Sequence, residues 1–406
     1  MLKLSDFWLW TSVGALILIG LLAIFSSTHT PQIKLGLDPF LFVKRQFLSV
    51  IVGIIGLSAF AYLDYQHLKK AAPYFYGLML LLLIIVLFSG STSSGAQRWF
   101  QIGYFSFQPS EVSKIIMAIC LAAFFAERKK MDLWDSSALV IMVSLPFLLI
   151  FKQPDLGTAL VFIFILIGLL TASWSSPKLL ILLVTPMVSI LLRPLIYIWL
   201  LYLIALVVAL FLSRASFWDW VMILGLNIGV GIALPFIWGT LKAYQRIRIL
   251  SFLNPASDPY GSGYHSLQSM LAIGSGGFFG KGFLHGTQTQ LQFIPEQHSD
   301  FIFSAVGEEF GFLGAVMLLG LFAVMIWRAM TIAFQASDGF GAVLAQGIAV
   351  MTAFHAFANI GMTVGLLPVV GIPLPFVSYG GSSLLMNLIG VGILQSIAMR
   401  RQKIIF

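Results

Sequence analysis

The residues that could do chemistry in this chain are charges placed where lipid should reject them. Glu111 and Lys114 fall in the first turns of an apolar segment that opens at Gln108-Pro109. Proline suits a first helical position because its missing N–H was unpaired anyway. A spacing of three puts both side chains on one face, where they can pair. Such a pair reads either as structural packing or as a polar floor under a substrate headgroup. Lys152-Gln153-Pro154-Asp155 repeats the pattern. Two Gln-Pro starts aim two positive helix ends to one side, where Arg98, Lys114 and Lys152 are close in sequence. Helix N-termini bind phosphate, so an anionic lipid headgroup is the natural ligand. Arg98 also reads as an interface anchor, beside a Trp99 of ordinary belt type.

Asp300 is the sharpest carboxylate. It precedes Phe301-Ile302-Phe303 at the point where a long polar stretch re-enters an apolar run. Desolvation among aromatics suits a general base, and a plain N-cap for the following helix is the rival reading. Glu296 and His298 lie within four residues of it. Glu308 and Glu309, two turns further on, read as an interhelical pair or as part of a polar path. His265, His285 and His298 share the long stretch with Asp258 and Asp300, but their spacing is not that of a zinc site. Mg²⁺ or another divalent cation enters only as a bridge to a pyrophosphate. The run GSGGFFGKG follows no strand and is no dinucleotide fingerprint. Near the C-terminus, Ser378, Tyr379, Ser382 and Ser383 belong to a Pro- and Gly-rich segment that lines a cavity or makes a kink.

Positioning these groups falls to helices. Of 406 residues, 59% are hydrophobic and 9% charged, against about a quarter charged in soluble domains. Mean hydropathy is +0.98. This excludes a soluble enzyme, an outer-membrane barrel and a disordered tail, and it makes a net charge of +8 a matter of membrane sidedness rather than nucleic-acid binding. The one cysteine, Cys120, carries no disulfide framework. Apolar runs predict an all-α polytopic membrane protein of about ten to twelve spans. Its first run, Phe7–Phe25, is retained rather than cleaved. Short loops bearing Lys69, Lys70, Arg128, Lys130, Lys178, Arg214, Arg328, Arg400, Arg401 and Lys403 place both termini in the cytoplasm. The stretch 241–300 then lies outside. It is too long for a plain connector, and it opens with Lys242, Arg246 and Arg248 alternating with apolar residues, the texture of an interfacial helix. The chain forms a single membrane domain.

Taken together, RWFQIG, FQPSEVSKI, KQPDLGTAL, YQRIRILSFLNPASDPYGSGYHSLQSMLAIGSGGFFGKG, PEQHSDFIFSAVGEEFGFLG and LPVVGIPLPFVSYGGSS resemble the SEDS family, nearer its RodA branch than its FtsW branch. The resemblance runs through nearly the whole chain. It implies a peptidoglycan glycosyltransferase of the cytoplasmic membrane that polymerises lipid II at the outer face, partnered by a class B penicillin-binding protein. By position it makes Asp300 the essential carboxylate, and assigns Arg98, Glu111 and Lys114 to the family's RW and QPSE-xx-K motifs. Lys152, Asp155, Arg246, Glu296, His298, Ser378 and Tyr379 complete the expected substrate-binding set. Three departures stand out. Ser106 replaces a common basic residue and Gln292 a common Glu, with Lys152 or Glu296 as substitutes, and 179–212 resembles an inserted hairpin on a ten-span plan. The implied chemistry is inverting transfer, which needs one carboxylate base. A lipid II flippase and a non-catalytic scaffold are the rivals.

Overall fold

Helices that are apolar on all sides take their boundaries from polar residues at their ends. In the computed structural model Asp6 starts the first helix by accepting from the Leu9 N–H, and Asp338 starts a later one by accepting from Phe340 and Gly341. Pro109 lies in the first turn of another, as its spacing predicts. The structure describes residues 5–93, 96–102, 105–128, 133–173, 177–214, 216–240, 262–294 and 296–401, with 246, 247, 250 and 252. The expected interfacial helix around Lys242 and Arg248 therefore lies almost wholly outside the described residues, as does Asp258.

The elements in chain order are α1 (Phe7–Lys34), α2 (Leu41–Tyr62), α3 (Gln66–Ser89), β1 (Ser91–Ser93), β2 (Ala96–Ile102), β3 (Phe105–Phe107), α4 (Pro109–Ala126), α5 (Leu133–Lys152) and α6 (Leu156–Ser173). Then follow α7 (Pro177–Leu192), α8 (Ile196–Leu212), α9 (Phe217–Thr240), α10 (Ser262–Ser275), α11 (Thr287–Gln290), α12 (Ile302–Phe334), α13 (Gly339–Thr363) and α14 (Gly381–Met399). Among the described residues eight helices, α1–α4, α9 and α12–α14, are long and apolar enough to cross a membrane. Shorter apolar helices lie within α5, α6 and α8. One element is not helical. The 91–107 connection forms an antiparallel sheet in the order β1-β2-β3, because backbone groups outside a helix must find partners elsewhere.

The centre of the molecule is α4, α13 and α14, whose apolar stretches are 78%, 72% and 89% buried, against 22% for α3 and α12. The lipid-facing helices pack around them, α2 on α14, α3 on α4, and α1 and α13 on α12. One end of the bundle gathers both ends of the described chain. There Arg328 at the end of α12 donates to Asp6, and the Gln395 amide of α14 bonds both the N–H and the C=O of Asp6. Arg400 grips the last carbonyls of α2 at the same end. The opposite end gathers 35–40, the sheet, 153–155, 262–301 and 364–380.

At that opposite end the Gly-rich run has a structural use. Gly311 adopts φ 66°, ψ −159° and breaks the hydrogen-bond ladder of α12. Segment 277–282 repairs the break: Lys281 and Gly282 donate to the Glu308 and Glu309 carbonyls, and Phe312 and Leu313 donate to Gly277 and Phe278. Irregular backbone survives beside a membrane helix only when such partners exist. At Gly280 (φ +82°) a Cβ would stand 2.1 Å from the Glu309 carbonyl oxygen. Gly280→Ala is thus expected to cost about 2 to 4 kcal/mol. Gly277→Ala, also at positive φ but with nothing within 4 Å, is expected to cost only about 1 kcal/mol. Thermal unfolding of the two variants side by side in detergent checks the difference, and equal midpoints would show that the segment does not repair the helix.

Candidate active site

Asp300 ends the turn that leads into α12. The cap position of α12 falls on Phe301, whose side chain makes no capping bond, so Asp300 does not occupy the N-cap that its sequence position offered. Its place is fixed through the backbone. The Asn359 amide on α13 donates from Nδ2 to the Asp300 carbonyl (2.8 Å) and to the Ile372 carbonyl (2.7 Å). Ser378 Oγ donates to the Ser299 carbonyl (2.6 Å) while accepting from the Leu374 N–H (2.8 Å). The Tyr379 N–H donates to the His298 carbonyl (2.9 Å). From α2, Gln46 brackets Tyr379, donating to the Ser378 carbonyl and accepting from the Gly380 N–H. The Pro- and Gly-rich segment is therefore a brace for the Asp300 turn, and the Ser378 hydroxyl is spent on that brace.

Beside it, the rings of Phe42, His298 and Tyr379 meet with centroids 4.9 to 5.5 Å apart. Burial pushes the His298 pKa below its ordinary value, with Glu296 partly opposing, so the imidazole is neutral near pH 7. Glu296 itself is exposed, at φ 51°, and accepts from the Ser299 hydroxyl.

The second group of residues surrounds the start of α6. Asp155 accepts from Thr158 N and Oγ1 (3.2 and 3.0 Å), Ser110 Oγ (3.2 Å) and Gln108 Nε2 (3.2 Å). This corrects one expectation. The α6 N-terminus, read as open to a phosphate, is closed by the chain's own carboxylate, which compensates that dipole end. Arg98 donates from Nε to the Gln153 carbonyl (2.8 Å) and from Nη2 to the Pro154 carbonyl, tying β2 to the α5–α6 turn. Lys152 is exposed at the end of α5. At Ser106 the backbone carbonyl, not the side chain, is used: it accepts from Ser382 Oγ at the start of α14 (2.6 Å). The two groups meet across segment 370–372. A Cβ on Gly157 would stand 2.9 Å from the Val370 carbonyl oxygen, and one on Gly371 would stand 3.3 Å from Asp300 Oδ2.

Beneath them, Glu111, Lys114 and His355 are buried together between α4 and α13. Lys114 Nζ donates to Glu111 Oε1 (2.8 Å) and to His355 Nε2 (2.8 Å). His355 Nδ1 donates to the Met351 carbonyl (2.7 Å), which leaves Nε2 as the acceptor. Asn359 follows His355 by four residues, on the same face of α13. His355, Asn359 and Gln46 were not among the expected site residues. A polar side chain inside an otherwise apolar span is the signal that would have found them.

Other expected residues lie apart. Arg246 donates to the Gly239 carbonyl at the end of α9. Glu308 accepts from Lys281, Thr287, Gln288 and Thr289, and Glu309 from Ser26 and Gln290. Both hold the repaired break in α12. Among the described residues no group of three or more His, Cys, Asp and Glu could hold a metal ion.

A bundle of long apolar helices with one polar, braced end defines a polytopic helical membrane protein. The chain belongs to the FtsW/RodA/SpoVE family: the family model, described as a cell cycle protein, matches residues 7–203 and 176–403. It is 36% identical to the peptidoglycan glycosyltransferase MrdB of Escherichia coli (strain K12) over 89% of this chain and 86% of that one. It is 33% identical to the peptidoglycan glycosyltransferase RodA of Treponema pallidum (strain Nichols), with 98% of each covered. A solved structure on the coordination of polymerization and crosslinking by a peptidoglycan synthase complex matches with a TM-score of 0.72 and 28% identity, covering 98% of each chain. The crystal structure of the Thermus thermophilus rod shape determining protein RodA matches with a TM-score of 0.64 and 26% identity, also covering 98% of each.

Proposed function

We propose that this chain, a peptidoglycan glycosyltransferase by family, polymerises lipid II at the outer membrane surface with Asp300 as its single base. The observation that carries the reading is the brace. Two elements, α13 through Asn359 and the 378–379 segment through Ser378 and Tyr379, hold the backbone at 298–300, so the turn bearing the carboxylate is fixed in place. Such pre-organisation is what a general base requires. Asp300 takes the proton of the acceptor GlcNAc 4-hydroxyl as that oxygen attacks C1 of the donor MurNAc. Undecaprenyl pyrophosphate departs from the opposite face of the ring, which inverts the centre and gives a β-1,4 bond. Because pyrophosphate is already a good leaving group, one carboxylate suffices. Arg98 beside Trp99 and exposed Lys152 supply positive charge for the pyrophosphate, while Glu296, His298 and Tyr379 border the acceptor. Glu111, Lys114 and Asp155 act from within, as support. A divalent cation such as Mg²⁺ enters this reading as a companion of the pyrophosphate.

Two features weigh against transport. Glu308 and Glu309, the carboxylates a polar path would need, are both hydrogen-bonded to the 287–290 turn. The braced end also faces one side only. Both ends of the described chain and the basic Arg128, Arg328 and Arg400 gather at the other end, and a basic end of this kind supports reading it as the cytoplasmic one. The likeness to a synthase complex supports a transpeptidase partner of the class B penicillin-binding type. The deciding experiment gives lipid II to the purified protein, alone and with that partner, and looks for glycan polymer. Polymer with Asp300 intact is the expected result. Lipid II translocation across vesicles without any polymer would overturn the enzyme reading in favour of transport.

A further inference from the structure

We infer that Asn359 is a positioning residue for the base, and that with Gly371 it forms the seat in which Asp300 is held. This rests on the reading of Asp300 given above. Asn359 is fully buried in α13, and its Nδ2 spans the carbonyls of Asp300 and Ile372 at 2.8 and 2.7 Å. Both partners are acceptors, so the amide has one workable orientation: turned over, it would set its oxygen against two carbonyl oxygens. The cost of that orientation is visible, because Asn359 Oδ1 is buried with no hydrogen-bond partner among the described residues. A buried orphan acceptor is uncommon and signals a constraint that outweighs it. Here the constraint is the double donation, which ties the turn bearing Asp300 to the segment bearing Gly371.

Gly371 forms the other side of the seat. Its φ of +69° suits glycine, and a Cβ there would stand 3.3 Å from Asp300 Oδ2. The absence of a side chain lets backbone lie directly against the carboxylate, and the shared amide keeps it there. Asn359 grips the backbone of Asp300, so its influence passes through Asp300.

Asn359→Asp tests this with little change of shape. Buried against two carbonyl oxygens, the new carboxyl is held neutral, and its single O–H can serve only one of them, so the tie between the two segments is lost. In the purified complex kcat is expected to fall about 10- to 100-fold, with the KM for lipid II within about threefold. A residue that only packs would lower the melting temperature without that split between kcat and KM. Asn359→Ser, which is smaller, guards against misfolding: it should lower kcat in the same way. Wild-type kcat in both folded variants would overturn the proposal. Failure of the reading of Asp300 itself would look different, since Asp300→Asn would then polymerise normally whatever Asn359 does.

Discussion

Asp300→Asn is expected to abolish glycan polymerisation, by roughly two to four orders of magnitude in kcat, while leaving the fold and lipid II binding in place. The substitution keeps the volume of the side chain and removes only its capacity to accept a proton. Nothing in the brace depends on that capacity, because Asn359 grips the Asp300 backbone carbonyl and Ser378 grips that of Ser299. The start of α12 does not depend on it either, since the cap position is Phe301. The stability change should therefore be small beside the loss of rate, about 1 to 2 kcal/mol at most. The check is polymer yield, melting temperature and lipid II binding on the same partner-bound preparation. Retained polymerisation would move the base to Glu296, exposed four residues earlier and already hydrogen-bonded by Ser299.

What could be read in advance is what neighbouring residues decide. Pro109 after Gln108 marks the start of α4 because a helix start tolerates proline, and the i, i+3 spacing of Glu111 and Lys114 does produce their 2.8 Å pair. Long-range partners were out of reach. Lys114 and His355 are 241 residues apart in the chain, and no local pattern says that α4 and α13 lie side by side. The same holds for Gln46 and Ser378, 332 residues apart. Asp155 shows a different limit. An acidic residue at a helix start is legible as a cap, but whether that helix end is closed or open to a ligand depends on Ser110 and Gln108 arriving from α4. The Gly-rich run could be excluded as a nucleotide loop by its context. Its actual use, completing the ladder of a helix broken at Gly311, needs the helix and the loop in view together.

Lys114→Met should be the most destabilising single change in the polar interior, at about 3 to 5 kcal/mol. It leaves the Glu111 carboxylate buried at 4% exposure without its counter-charge and takes the donor away from His355 Nε2. Glu111→Gln is expected to cost less, because Lys114 keeps its bond to His355 and the new amide can still accept from the ammonium. The double variant separates structure from chemistry. With both charges gone, the buried site no longer bears the desolvation cost of an unpaired ion, and much of the lost stability should return. Polymerisation should return with it, because the pair acts on the site only through α13, where Asn359 stands one turn beyond His355. Thermal midpoints and polymer yields for the two single variants and the double variant test that chain of support. Recovery of stability with polymerisation still lost would show that the Lys114 charge acts on the substrate itself, which its 3% exposure argues against. Recovery of both would mean that this buried ion pair serves catalysis only by holding α4 and α13 in register beneath the base.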